Sequence, residues 1–116
     1  MSESAVRDEL LKLVIEKAVR KGDHTLSSGK KSSYYIDGKQ VTLDPKGLLL
    51  LGKMILSMIH GTQADAVGGP TLGADPMAAA VSLLSSQNNK PLNAFIVRKE
   101  EKKHGTQKRI EGPELQ

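Results

Sequence analysis

The sequence predicts an α/β fold, three-layered and built around a short parallel sheet. Two apolar stretches of strand length, residues 64–67 and 92–97, flank an alanine-rich stretch of helix length. The first of them runs straight into a glycine-rich turn, GGPTLGAD at residues 68–75. Asp followed by Pro occurs at Asp44-Pro45 and again at Asp75-Pro76, each time ahead of an apolar run, which is the pattern of a helix N-cap with proline in the first turn. Strand, helix and strand in that order form a βαβ unit, with parallel strands and a right-handed crossover.

Val6, Leu10, Leu13, Val14, Ala18 and Val19 recur at helical spacing among charged residues and predict an amphipathic first helix ending at Gly22. Residues 25–29 and 33–37 read as short strands around a Ser/Gly/Lys turn, with Tyr34, Tyr35 and Ile36 supplying β-favouring side chains. Adjacent strand residues face opposite sides, so only one of the two tyrosines can line a pocket. Behind Asp44 and Pro45, the apolar residues 48–59 form a mostly buried helix that stops at Gly61. The second helix of this kind runs from Asp75 to about Ser86, and Asn88, Asn89, Lys90 and Pro91 turn the chain into the second apolar strand. Three regions follow from this reading: residues 1–44 as N-terminal helix and strands, 45–97 as helix plus βαβ unit, and 98–112 as a basic, flexible loop.

The chain of 116 residues suffices for one modest domain, and one Phe, two Tyr and no Trp leave its core aliphatic. The absence of cysteine excludes disulfides and thiolate metal sites and fits a reducing cytoplasm. A polar N-terminus and the lack of any strictly apolar run longer than five residues argue against secretion and membrane spanning.

Charge is concentrated. Residues 98–109, RKEEKKHGTQKR, hold six Lys/Arg against two Glu, which equals the net charge of +4 for the whole chain. Such a cluster with an internal Gly105 points to a loop that closes on a polyanion, although the same composition also occurs in solvated loops and tails. The glycine-rich turn lies where α/β proteins bind phosphates, between a strand end and a helix N-terminus, yet it matches neither Gly-x-Gly-x-x-Gly nor a P-loop. An anion site and an ordinary strand-to-helix turn both remain open there, since such turns need glycine in any case. Turn and basic segment each follow the carboxyl end of a strand in one βαβ unit, so both face one crevice. A nucleic-acid-binding role fits less well, because the rest of the chain is neutral and no aromatic residue interleaves the basic segment. Lys30 and Lys31 read as turn lysines, and His24 and His60 as surface or helix-end residues.

The stretches TLSSGKKSSYYIDGK, TLDPKGLLLLG, DAVGGPTLGADP and AFIVRKEEKKHGTQKRIEG, in this order and spacing, resemble the orotate phosphoribosyltransferases, which are type I phosphoribosyltransferases. The resemblance covers nearly the whole chain, and its most specific part is Arg-Lys-Glu-x-Lys-x-His-Gly. It implies transfer of ribose 5-phosphate from phosphoribosyl pyrophosphate to orotate, with Mg²⁺, giving orotidine monophosphate and pyrophosphate in pyrimidine synthesis. It also implies a cytoplasmic homodimer whose basic loop acts across the interface, with no nucleic-acid or membrane partner.

Carried over residue by residue, Arg98, Lys99, Lys102 and His104 match the loop that contacts the phosphates, with Lys99, Lys102 and His104 in the catalytic role. Leu72 and Gly73 take pyrophosphate-loop positions where some members have tyrosine and lysine, so their contact runs through the backbone. Tyr35 and Ile36 fall at orotate-lining positions, and Ser27 stands where some members have a phosphate-contacting lysine.

The resemblance further implies an acidic pair followed by Thr-Thr-Gly, which cradles the ribose hydroxyls and 5′-phosphate, and residues 1–116 contain no such segment. The expectation is therefore a C-terminally incomplete fold, inactive alone, with a complementary C-terminal polypeptide as a partner. A non-catalytic dimerisation or regulatory module of the same fold is the alternative.

Overall fold

A computed structural model describes residues 2–100, 105 and 108–115. Helix α1, Glu3–Leu13, starts where the Ala5 amide donates to Ser2 Oγ at 3.2 Å, and it buries Val6, Leu10 and Leu13. It ends earlier than its apolar spacing suggests. A π-helical turn over Val14–Ala18 leads into strand β1, Val19–Thr25, which pairs antiparallel with β2, Lys31–Ile36. The switch comes at Ala18, whose carbonyl accepts from the Asp37 amide at 2.8 Å and so enters the hairpin instead of prolonging the helix. The strand expected over residues 25–29 is therefore mostly the hairpin turn, and the true strand is the charged segment before it, with a bulge between Lys21 and His24. Cross-strand pairing overrides the weak β propensity of Arg20, Lys21, Gly22 and Asp23.

Helix α2, Lys39–Thr42, is followed by α3, Pro45–Ile59, whose N-cap Asp44 accepts from the Gly47 amide at 2.8 Å, as the Asp-Pro pattern predicted. Lys17 Nζ also donates to Asp44 Oδ1, at 2.7 Å, tying the π turn to the start of α3. That hydrogen bond, with the Gly47 amide, lowers the Asp44 pKa, and the same bond raises the Lys17 pKa.

Strand β3, Ala66–Pro70, pairs parallel with β4, Asn93–Val97, in register from Ala66 opposite Asn93 to Pro70 opposite Val97, and α4, Asp75–Ser85, connects them. The predicted βαβ unit is present. A two-residue strand β5, Ile110–Glu111, adds antiparallel to β4, so the sheet order is β3-β4-β5. At the end of α4 the buried Ser85 hydroxyl accepts from the Leu92 amide at 2.8 Å and Ser82 Oγ donates to the Leu92 carbonyl at 2.7 Å, which fixes the entry into β4.

Helix α4 packs on β3 and β4, α3 packs on α4, and α1 packs on α3. The aliphatic core collects Val6, Leu10, Leu13, Ala18, Val41 and Leu50. The body measures 46 × 42 × 22 Å. Its accessible surface of 8670 Å² exceeds the roughly 6,200 Å² expected of a compact monomer of this mass. Leu49, Met58, Leu83 and Ile96 are among the large apolar side chains left exposed. No helix among the described residues is long and apolar enough to cross a membrane.

Candidate active site

The carboxyl ends of β3 and β4 lie side by side, and the Thr71 amide donates to the Val97 carbonyl at 2.9 Å. This approach requires glycine at 68: a Cβ there would press on the Phe95 carbonyl oxygen and lie 2.5 Å from Phe95 Cδ2. The turn then crosses to α4 through Thr71, Leu72, Gly73 and Ala74, with a cis Thr71–Leu72 peptide. The Ala74 amide donates to the Pro70 carbonyl, and the Asp75 amide to the Leu72 carbonyl, both at 3.2 Å.

Asp75 is not the N-cap that its place before Pro76 suggested. The chain enters the helix one residue sooner, at Asp75 itself, and the cap position Ala74 has no side-chain hydrogen bond. The Asp75 carboxylate serves the turn instead, because Thr71 Oγ1 donates to its Oδ2 at 2.5 Å. Its Oδ1 is buried and has no hydrogen-bond partner among the described residues.

A cleft of about 800 Å³ opens between this turn and the end of the hairpin. Leu72, Gly73 and Asp75 form one wall; Tyr35, Asp37 and Lys39 form the other, with Leu43 and Met77 adding apolar surface. Gln40 Nε2 donates to Asp37 Oδ2 at 3.1 Å, and this bond lowers the Asp37 pKa, with help from Lys39 at 3.8 Å. The Tyr35 ring also stands 5.9 Å, centroid to centroid, from that of His24.

Three of the candidates drawn from the sequence thus meet at one cleft: Tyr35, Leu72 and Gly73. Ile36 is 53% exposed and does not line it, and Ser27 is exposed in the hairpin turn. Arg98 follows β4 directly, so it neighbours the turn through the Pro70–Val97 pairing. Its amide donates to the Arg109 carbonyl at 2.7 Å, its Nη1 lies 3.9 Å from Glu111 Oε1, and its Nε is buried without a hydrogen-bond partner among the described residues. The Arg109 guanidinium returns to the carbonyls of Arg98 and Lys99 at 3.3–3.4 Å, closing the base of the basic segment. Lys99 is exposed beyond that base. Lys102 and His104 lie outside the described residues, as do residues 101, 103, 106 and 107 of the segment expected to be mobile.

Asp37, Lys39 and Asp75 line the cleft without having been singled out from the sequence. Asp37 and Lys39 directly follow Tyr35 and Ile36 in YYIDGK, and that proximity was the available signal. The local pattern at Asp75 pointed to capping, and only the fold brings its carboxylate to Thr71.

No family model matches the chain. The orotate phosphoribosyltransferase of Nostoc sp. is 52% identical over 112 residues, covering 97% of this chain and 54% of its own length. That of Synechocystis sp. is 51% identical over 110 residues, covering 95% of this chain and 55% of its own length. A crystal structure of Mycobacterium tuberculosis orotate phosphoribosyltransferase in complex with Fe(III) dicitrate superposes with a TM-score of 0.78 at 40% identity, covering 94% of this chain and 61% of that one. The chain is homologous to part of an orotate phosphoribosyltransferase. It spans about half the length of these curated relatives. Another crystal structure of the Mycobacterium tuberculosis enzyme, in complex with 5-phospho-α-D-ribosyl 1-diphosphate, has a TM-score of 0.72 at 36% identity and covers 94% of this chain and 57% of that one.

Proposed function

We propose that this chain supplies the orotate and pyrophosphate side of an orotate phosphoribosyltransferase site. The observation that carries the reading is the cleft in which Tyr35 faces the Leu72–Gly73 turn at the carboxyl edge of the β3–β4 pair. A flat heterocycle fits against Tyr35 and the apolar side chains, and the turn meets a phosphate through its backbone. Arg98, Lys99, Lys102 and His104 then bring cations to the pyrophosphate.

Departure of pyrophosphate leaves an oxocarbenium-like carbon and gathers negative charge on the leaving group. Cations placed there stabilise the transition state more than the ground state. Histidine as a residue type exchanges protons near neutral pH, so His104 is proposed to give a proton to the departing group. Closure of the basic segment over the cleft would exclude water from the activated sugar.

Among the described residues no group of three His, Cys, Asp or Glu is placed to hold a metal ion. That donor set fits Mg²⁺ held mainly through substrate phosphates and water, with Asp75 as the carboxylate beside it. When bound, Mg²⁺ supplies charge neutralisation on the pyrophosphate. The exposed apolar side chains and the excess surface support association with further protein, in a homodimer and with a complementary polypeptide carrying the ribose-phosphate cradle. The cysteine-free composition suits a cytoplasmic enzyme.

The 116-residue polypeptide alone is expected to form little or no orotidine monophosphate, and to gain activity when the remaining portion of a relative is supplied. Positioning of the ribose phosphate is worth roughly 7–11 kcal/mol in well-oriented systems, so its loss costs orders of magnitude in rate. In the reconstituted enzyme, Lys99→Ala and Lys102→Ala should lower turnover without altering thermal stability. Full activity in both variants would remove the basic segment from the mechanism. Failure to bind orotate would favour a non-catalytic module of the same fold.

A further inference from the structure

The chain leaves β4 at Arg98 and enters β5 just after Arg109, and these two residues hold one another. The Arg98 amide donates to the Arg109 carbonyl at 2.7 Å. In return the Arg109 guanidinium donates to the Arg98 carbonyl from Nε and Nη2, each at 3.3 Å, and to the Lys99 carbonyl from Nη2 at 3.4 Å. The strand behind it is already secured by backbone. Ile110 and Glu111 pair with Val97 and Ile96, and Gly112 lets the chain pass so close that a Cβ there would lie 2.8 Å from the Ala94 carbonyl oxygen. The side-chain bonds of Arg109 are therefore not needed to attach β5. They act on Arg98 and Lys99, whose carbonyls lie beyond the last pair of the β4–β5 ladder.

A bound carbonyl fixes its peptide plane, and the two planes that flank a Cα set the direction in which its side chain leaves. The Arg98 carbonyl belongs to the plane before Lys99, and the Lys99 carbonyl to the plane after it. One guanidinium holds both. Arginine suits this task, because its planar fork of donors reaches two consecutive carbonyls in a set geometry, whereas a lysine ammonium is a single point charge on a flexible stem. We infer that Arg109 is a positioning residue that fixes both peptide planes flanking Lys99 and so aims the Lys99 side chain at the pyrophosphate. The inference rests on the reading of Lys99 as a pyrophosphate ligand and adds to it a residue that acts without touching the ligand.

The test is a calorimetric titration of the 116-residue chain and its variants with inorganic pyrophosphate in the presence of Mg²⁺. Lys99→Ala should weaken binding by about fivefold, the scale of one solvent-screened charge near an anion. Arg109→Lys, which keeps the charge and loses the fork, should weaken it by a similar factor with the thermal midpoint unchanged. Arg109→Gln should do no more than Arg109→Lys. The double variant of Lys99→Ala with Arg109→Lys should bind no more weakly than Lys99→Ala alone, because the two residues act as a unit. A role through charge alone predicts wild-type affinity in Arg109→Lys, and a role independent of Lys99 predicts additive losses in the double variant. Either result in folded protein would overturn the inference and leave the site reading standing. Wild-type affinity in Lys99→Ala, or no saturable binding by the wild type, would overturn the reading of Lys99 and this inference with it.

Discussion

The two walls of the cleft are built in different ways. The Leu72–Gly73 wall is an extension of the sheet: Gly68 lies against Phe95, a Cβ at Gly69 would come within 2.8 Å of Ala74 Cβ, and the Thr71 amide is bound to β4. The Tyr35 wall is the end of a two-stranded hairpin whose outer side chains, Tyr34 at 54% and Ile36 at 53%, remain exposed. Backbone pairing and the Ala18–Asp37 hydrogen bond hold it, with little core beneath. The wall proposed to meet phosphate is thus fixed by packing, and the wall proposed to meet the heterocycle by a ladder that single side chains barely touch. Substitution at the packed base of the first wall, Gly68 and Gly69, should cost stability, while loss of a side chain on the second should cost mainly binding.

The sharpest break of that contrast is Gly68→Ala. An added Cβ would meet both the Phe95 carbonyl and its ring, neither of which moves without separating β3 from β4. Overpacking of this kind costs about 1–3 kcal/mol, which for a domain of this size lowers Tm by roughly 4–8 °C per kcal/mol. Thermal unfolding checks it, and an unchanged midpoint would show that the first wall is looser than its packing implies.

The same contrast explains what was legible in the sequence. Asp44-Pro45, Gly68-Gly69 and the apolar runs around them are local signals whose physics is complete within a few residues, so α3, β3 and β4 appear close to where they were expected. Strand β1 is written in Arg20, Lys21, Gly22, Asp23 and His24, a composition that no strand propensity favours; only its partner β2 makes it a strand. The cleft was legible in part for the same reason. Tyr35, Leu72 and Gly73 could be placed from motif and resemblance, whereas the Thr71–Asp75 hydrogen bond depends on how the turn closes in space.

A second prediction concerns the anchor of the hairpin wall. Lys17, just ahead of β1, donates to Asp44 at the start of α3. The Asp44 pKa is lowered in the folded state, so its contribution to stability is present above the unfolded value of about 3.9 and is lost as pH falls through the lower folded value. The Lys17 pKa is raised, so its contribution is present below its ordinary value and is lost as pH rises through the higher folded one. Chemical denaturation at neutral pH should find Asp44→Asn less stable than wild type, and the difference should shrink in acid. A difference that stays constant down to pH 2 would detach the anchor from this ion pair.

The smallest expected change in stability is at Gly73, and there the effect should appear in binding. In contrast to Gly68, a Cβ at Gly73 meets no atom of the described residues within 4 Å, and its φ lies outside the left-handed range that disfavours side chains. Gly73→Lys should therefore fold as well as wild type, within about 0.5 kcal/mol, because the substitution is at a surface position away from packed groups. The new ammonium would stand in the cleft at the turn through which the pyrophosphate contact is proposed to run by backbone alone. Pyrophosphate should then bind several-fold more tightly, and the gain should fall with rising salt as a partly exposed charge is screened. If calorimetry finds a stable Gly73→Lys protein with unaltered pyrophosphate affinity at low salt, the anion does not reach this turn, and the packed wall loses its proposed role in phosphate binding.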